Sequence, residues 1–403
     1  MNPKKPNSNN KTTNVCFIST YPPRECGIAT YTQKLMEAIK AQSGNIKLRV
    51  MAIKFNDSEN YEKNVEFIIE RNKKADYKKA AEYINNSDID VVNIQHEFGI
   101  FGGFNGRNVL YLTERIKKPL ILTMHSIPIL HKNNKTYSSS KYKSKVLLLI
   151  KILKNVDGVI IMSKSIKEII RKDLQFTGKI MVMYHGAQFF KKEEINRLKQ
   201  YKESLGIKKN EFIISTFGLI SPRKGLQFVI KALPELVKNN PNIKIKYFII
   251  GRMHPTESTR YLLNLKRLAK HLHINGNVIF NSNYLPYSKI YQYLANTDIF
   301  ITPYYKGLAN LTSSGTLSYA LALGCCIVST PYVYAKEILS EYKVGELINF
   351  ADYKSIDKTI NYLLKNPKII QEYKRNSYKL SVNFSWENVS KKYIDIIMRI
   401  LNK

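Results

Sequence analysis

Acidic side chains are scarce in this chain. Aspartate and glutamate number 31 against 64 lysines and arginines, which leaves a formal charge of +33. An excess of that size attracts phosphates, anionic lipid or nucleic acid. Lys, Asn, Ile and Tyr are spread along the whole sequence, so the charge also reads as a compositional bias. No helix-turn-helix, RNP-like or zinc-finger pattern accompanies it, and nucleic acid is not expected as a partner. No run of 18 or more apolar residues occurs, so no transmembrane helix is expected. The four cysteines (Cys16, Cys26, Cys325, Cys326) lack metal-ligand spacing. Two of them are adjacent in an apolar run, where they read as small hydrophobes, and a reducing cytosol fits. The opening stretch, MNPKKPNSNNKTTN, lacks the apolar segment of a signal peptide, and residues 1–13 are expected to form a disordered tail.

What is present is a length of 403 residues, 44% of them hydrophobic, enough for two domains. Short apolar runs alternate with helical stretches: Val15–Ser19, Leu48–Ile53, Val65–Ile69, Ile89–Ile94, Leu120–Met124, Val156–Met162 and Ile180–Met183. That alternation predicts a parallel sheet covered on both faces. A charged stretch near 187–210 marks a boundary. A second alternation follows, with strands at Phe212–Phe217, Lys244–Ile250, Val278–Phe280, Ile299–Thr302 and Cys326–Ser329. The end of the chain, from Phe384, predicts an amphipathic helix with Ser385 as its cap, Val389, Tyr393, Ile396 and Ile397 on one face and Trp386, the only tryptophan, as an anchor.

Three stretches carry candidate chemistry. In the first, TDIFITPYYKGLANLTSSGTLSYALALG, a buried strand runs through a small-residue loop into an apolar helix. Backbone N–H groups at Ser313, Ser314, Gly315 and Thr316 can converge on a phosphate there, and Gly315 lets the ligand come close. Many such units bind nothing, so a plain loop is the alternative. In the second, the first strand leads through Thr20-Tyr-Pro-Pro-Arg-Glu-Cys-Gly27 into a helix from Ile28, the first βα turn of a doubly wound domain. In the third, Phe217 leads into Gly218-Leu-Ile-Ser-Pro-Arg-Lys-Gly225, where Lys224 is a phosphate partner or a solvated surface lysine. Three histidines, His96, His125 and His185, stand just past strands, at the edge where α/β sheets gather ligands. No His-x-x-x-His pair suggests zinc. The glycine-rich HEFGIFGGFNGR suits a lid or an acceptor-contacting loop. The helix around VLLLIKILK reads as buried, or as a basic helix with an edge toward a membrane.

In this order, TYPPRECGIATYT, NIQHEFGIFGG, LTMHSI, YHGA, FGLISPRKG, SSGTLSYALALG, STPYVYAKEIL and FSWENV resemble the GT-B glycosyltransferases, specifically the large retaining family 4, or group 1, type. The resemblance covers residue 14 to the end. It implies an α/β fold of two Rossmann-like, doubly wound domains facing a central cleft, at 14–195 and 196–383, with a helix at 384–403 crossing back to the first. It implies a metal-free, cofactor-free transfer of a hexose, mannose or glucose being the candidates, from a nucleotide-diphosphate sugar, with retention. The acceptor would be a hydroxyl of a glycan, a lipid-linked or a small molecule, as in polysaccharide biosynthesis. His125 would meet the donor sugar near the reaction centre, and Lys224 would neutralise the diphosphate. Gly27, Arg223, Asn283 and the Ser313–Thr316 loop would line the donor. His96, Glu97 and Asn310 would contact sugar or acceptor. The setting expected is the cytoplasm, with peripheral contact at an anionic inner membrane face.

Two departures from the family pattern stand out. The wider family carries a glutamate pair eight positions apart around the opening loop, whereas Lys306 to Ala322 contains no acid. Asn310 is the candidate replacement. The arginine that often follows the glycine ending the second domain's first strand is Leu219 here, with Arg223 as the candidate to compensate. The alternative reading is a catalytically degenerate relative that binds a nucleotide sugar or glycan as a scaffold.

Overall fold

The computed structural model describes residues 12–61, 64–128, 140–254, 259–283, 285–308 and 313–402, with backbone alone at 140–142 and 308. These fall into two compact units, one running to Tyr184 and resuming at Trp386, the other spanning His185–Ser385.

The first unit holds a seven-stranded sheet: β1 (Thr13–Ser19), β2 (Ile46–Lys54), β3 (Val65–Glu70), β4 (Val91–His96), β5 (Leu120–Met124), β6 (Gly158–Ile161) and β7 (Lys179–Val182), in the order β3-β2-β1-β4-β5-β6-β7. Every neighbouring pair is parallel. β1 opens at Thr13, inside the segment expected as a tail, because its backbone pairs there with Ile46. Residues 1–11 lie outside the described residues. β4 is buried at all its positions, as a strand covered on both faces must be. On one face Val15, Phe17, Val91, Ile121 and Ile160 pack against Tyr31, Leu35 and Ile39 of the helix Gly27–Gln42. Val389, Tyr393, Ile396, Ile397 and Ile400 of the helix Trp386–Leu401 complete that core, each apolar side chain contributing roughly 1.5–3 kcal/mol by burial. Trp386 anchors the helix on Tyr31, with ring centroids 5.5 Å apart. The helix Ser140–Leu153 is amphipathic: Val146, Leu148, Leu149, Ile152 and Leu153 are buried, whereas Leu147 is exposed.

The second unit holds β8 (Glu211–Phe217), β9 (Lys244–Ile250), β10 (Val278–Asn281), β11 (Ile299–Thr302), β12 (Cys326–Ser329) and β13 (Gly345–Leu347), all parallel, in the order β10-β9-β8-β11-β12-β13. This is the doubly wound order 3-2-1-4-5-6. Its core joins the sheet to Leu226, Val229, Ile230, Leu233 and Leu236 of the helix Leu226–Asn239 and to Ile356, Ile360 and Leu363 of the helix Tyr353–Lys365. The unit begins at His185, earlier than the expected change at 195, and Ala187 bridges Ser385 within it. Cys16, Cys325 and Cys326 are buried free thiols, and burial pushes Cys325 up to about 12. Among the described residues no helix is long and apolar enough to cross a membrane.

Each sheet reverses its strand order once, between β1 and β4 in the first unit and between β8 and β11 in the second. Ligands of open α/β sheets bind outside the carboxyl ends of the strands at such points.

Candidate active site

At the second unit's reversal, β8 is followed by Gly218, whose φ of +129° is open to glycine. The following turn, Ser221–Gly225, is locked onto the end of β11. Tyr305 N donates to Arg223 O (3.0 Å), and a Cβ on Gly225 would stand 1.9 Å from Pro303 O. That lock swings Lys224 inward. Its Nζ donates to Tyr304 Oη (2.6 Å) and lies 4.1 Å from the centre of that ring. Burial pulls the ammonium down to about 7, and the Arg223 charge acts in the same direction. Tyr304 is pushed up to about 12 by burial and stays a neutral phenol.

The helix Gly315–Ala322 starts beside this pair. Ser314 caps it, its Oγ accepting from Leu317 N (3.3 Å), and lies 3.2 Å from Thr316 Oγ1, which in turn is 3.3 Å from Tyr304 Oη. A Cβ on Gly218 would meet Thr316 Cγ2 at 3.2 Å and Lys224 Nζ at 3.6 Å. Lys224, Thr316 and the bare Gly218 backbone therefore converge at the helix N-terminus, the arrangement that suits an anion. His185 closes the far side. Its ring occupies the space a Cβ on Gly315 would need (2.9 Å), its Nδ1 donates to Gly186 O (2.8 Å), and burial lowers it to about 4. Gly315 is thus required by a histidine as well as by any ligand. Tyr319 stands next along the helix and meets His185, Phe217, Tyr287 and Tyr291 in one aromatic cluster. Asn283 and Arg223 are exposed, and Ser313 is half-buried. Asn310 lies outside the described residues.

In the first unit, β4 and β5 turn a row of polar side chains to one face. Asn93 Nδ2 donates to Thr123 Oγ1 (3.0 Å), Gln95 Nε2 donates to Asn93 Oδ1, and Gln95 Oε1 faces His125 Nε2 at 2.8 Å. With its amide NH2 turned to Asn93, Gln95 offers its oxygen to His125 as an acceptor, which puts the ring proton on Nε2. Tyr31 meets the His125 ring edge-on at 5.0 Å. Asn93, Gln95 and Thr123 are fully buried and His125 almost so. Glu97 bonds Phe98 N (3.0 Å) and Ser126. Burial raises its carboxyl, and those bonds and Lys145 oppose the rise. Gly27 opens the helix Gly27–Gln42, where Cys26 Sγ accepts from Ala29 N, and a Cβ there would meet no atom within 4 Å.

Of the three histidines expected at one edge, His96 ends β4 and His125 follows β5 at the same carboxyl edge, His125 N donating to His96 O (3.1 Å), but their side chains part. His125 stands at the edge. His96 is fully buried between Phe98 and Phe101 with neither ring nitrogen hydrogen-bonded, and burial lowers it to about 4. It sits there as a neutral, buried ring. His185 belongs to the second unit. Asn93, Gln95 and Tyr304 were not legible as site residues. The one signal for the first two was a pair of amides inside an apolar strand. Asp88 and Asp90 have the Asp-x-Asp spacing of metal-binding transferases, but they precede β4 at the opposite edge, where Asp88 pairs with Arg49 and Asp90 accepts from Asn14 N. Among the described residues no group of three or more His, Cys, Asp or Glu gathers for a metal.

Two family descriptions match the chain: glycosyltransferase family 4 over residues 27–188 and glycosyl transferases group 1 over residues 198–380. An uncharacterized glycosyltransferase of Methanocaldococcus jannaschii is 29% identical over 252 residues, 62% of this chain and 60% of that protein. The alpha-monoglucosyldiacylglycerol synthase of Streptococcus pneumoniae is 24% identical over 400 residues, 95% of this chain and 85% of that protein. The fold matches sucrose-phosphate synthase from Thermosynechococcus elongatus with a TM-score of 0.75 at 14% identity, over 97% of this chain and 99% of that one. With a family match on each unit and a shared fold along nearly the whole length, the chain belongs to the GT-B glycosyltransferases, as a relative of their family 4 and group 1 members.

Proposed function

We propose that this protein is a retaining hexosyltransferase, moving glucose or mannose from a nucleotide-diphosphate sugar to a hydroxyl of a lipid-linked or glycan acceptor. The observation that carries the reading is the convergence of Lys224, Tyr304 and Thr316 at the start of the helix Gly315–Ala322. Departure of a nucleoside diphosphate builds charge on its β-phosphate. A lysine with no carboxylate partner among the described residues, held at a helix N-terminus, stabilises that charge, each charge-assisted bond being worth roughly 1.5–3 kcal/mol. The Ser313–Thr316 amides and Arg223 supply the remaining phosphate contacts, and the segment through Asn283 borders the base. In the first unit His125, its ring proton fixed on Nε2 by Gln95, is the group that meets the transferring sugar, and Glu97 stands beside it for the acceptor. The reaction needs no resident metal in this reading. The name of the streptococcal relative, a synthase of alpha-monoglucosyldiacylglycerol, supports a lipid acceptor. The charge of +33 supports peripheral contact with an anionic membrane from the cytoplasm.

The acid-free stretch from Lys306 to Ala322 favours a second reading, a chain that binds the donor and does not turn it over. A screen of UDP-, GDP- and ADP-sugars by thermal shift and by donor hydrolysis without metal separates the two. Stabilisation with slow sugar release fits the transferase, stabilisation with no turnover under any acceptor mixture fits the scaffold, and no binding refutes both.

A further inference from the structure

Two large apolar side chains of the first unit are held out in solvent: Phe104 is 62% exposed and Leu147 60%. The turn that carries Phe104 is tightly built. Gly103 (φ +78°), Asn105 (φ +54°) and Gly106 (φ +85°) all adopt left-handed backbone around it. A Cβ on Gly103 would stand 2.7 Å from Asn108 Oδ1, and one on Gly106 would stand 2.6 Å from Phe98 O. Asn105 is tied to the helix Ser140–Leu153 through Nδ2 to Ser144 Oγ (2.7 Å). Left-handed conformations cost free energy at a non-glycine residue, and here they fix a phenylalanine pointing outward. Between turn and helix runs an open groove of about 240 Å³, walled by Phe104, Leu110, Leu147 and Leu148 and flanked by Arg107 and Lys151. Among the described residues no acidic side chain lines it, and the helix sequence SKYKSKVLLLIKIL contains none. Apolar tips ringed by cations, with no carboxylate among them, complement a bilayer interface in charge and in polarity.

We propose that this groove and its rim dock on an anionic lipid bilayer, with Phe104 and Leu147 inserted at headgroup depth and Arg107 and Lys151 on lipid phosphates. The assignment rests on the membrane contact proposed above and gives it a place. It does not depend on which sugar or acceptor the protein uses.

The test is co-sedimentation of the full chain with phosphatidylglycerol–phosphatidylcholine vesicles and with phosphatidylcholine alone, at low and high salt. The wild type should partition onto the anionic vesicles and be released by salt. F104S/L147S should lower the partition coefficient at least tenfold. R107E/K151E should lower it at least about 25-fold, about fivefold for each cation lost before the added carboxylates are counted, with a shallower salt dependence. K354E/K358E, the same charge change on an exposed helix of the second unit, should retain most of the binding. Unchanged thermal midpoints would show that the variants fold. Equal binding by wild type, F104S/L147S and R107E/K151E would overturn this surface and leave the membrane contact standing elsewhere. No binding by the wild type would overturn both. Equal binding to neutral vesicles would overturn the anionic partner. A concentration-dependent dimer abolished by F104S/L147S, without vesicle binding, would assign the groove to a second copy of the chain.

Discussion

Raising the pH from 6 to 9 should weaken nucleotide-sugar binding through a single group, Lys224. Burial brings its ammonium from 10.5 to about 7 in the free protein, a gap of about three and a half units. At 1.36 kcal/mol per unit that is roughly 5 kcal/mol for a dry site, and discounting for the water that reaches the half-buried amine leaves about 2 kcal/mol. A diphosphate beside Nζ favours the charged form and lifts the pKa back up. Below pH 7 the lysine is protonated in both free and bound protein, and affinity is flat. Above pH 7 binding must take up a proton, so affinity falls as pH rises, by roughly 30-fold over the window. The fold responds in the opposite sense. Between about 7 and 10.5 the unfolded chain binds the proton that the folded chain has lost, so this group makes the protein more stable as pH climbs. Calorimetric titration with the nucleotide sugar that the screen selects, in two buffers of different ionisation enthalpy, reads both affinity and proton uptake. Lys224→Met should give weak binding that no longer depends on pH. A flat profile in the wild type, or an unchanged slope in Lys224→Met, would refute the reasoning.

Lys224→Ala should reduce turnover about 10²-fold or more, the scale of losing one transition-state donor, and a near-normal kcat would remove the lysine from the mechanism. Gly315→Ala puts a methyl 2.9 Å from the His185 ring, so donor affinity should drop and stability should fall by about 1–3 kcal/mol in urea unfolding. The double variant Gly315→Ala/His185→Ala should regain most of that stability, and no recovery would show that the clash lies elsewhere. Gln95→Leu strips His125 Nε2 and Asn93 Oδ1 of a buried partner, costing about 1–3 kcal/mol, and should shift the ring nitrogens of His125 in 15N spectra. Unmoved nitrogens would mean that Gln95 does not set the tautomer.

Most strands were legible because a parallel sheet buried on both faces must be written as short, continuous apolar runs, as Leu120–Met124 and Ile299–Thr302 are. β13 was not. Gly-Glu-Leu has no apolar run, and it pairs with β12 where Gly345, lacking a Cβ that would stand 1.7 Å from Ile327 O, lets the strands approach. Lys224 and the Ser314–Thr316 turn could be found from glycines and hydroxyls after strands, since local backbone geometry makes the anion site. Tyr304 could not, because an aromatic after a buried strand reads as core until a lysine is seen beside it. The histidines misled for a related reason. Position past a strand predicts the edge, but His96 turns inward onto two phenylalanines and His185 packs on a helix 130 residues further along the chain.

The passage of the chain from one unit to the other and back has a consequence for its synthesis. The second unit is an insertion: it starts at His185, ends at Ser385, and its two ends are joined by the Ala187–Ser385 bridge, with Ala187 N donating to Phe384 O at 2.7 Å. All of its strands are therefore available while the ribosome still holds the segment from Trp386 onward. The first unit, though begun earlier, lacks Val389, Tyr393 and Ile397 until then, and the apolar faces of β1 and the helix Gly27–Gln42 wait uncovered. The domain that starts first is completed last. During that interval its exposed core is the part of the protein most open to aggregation or to capture by a chaperone.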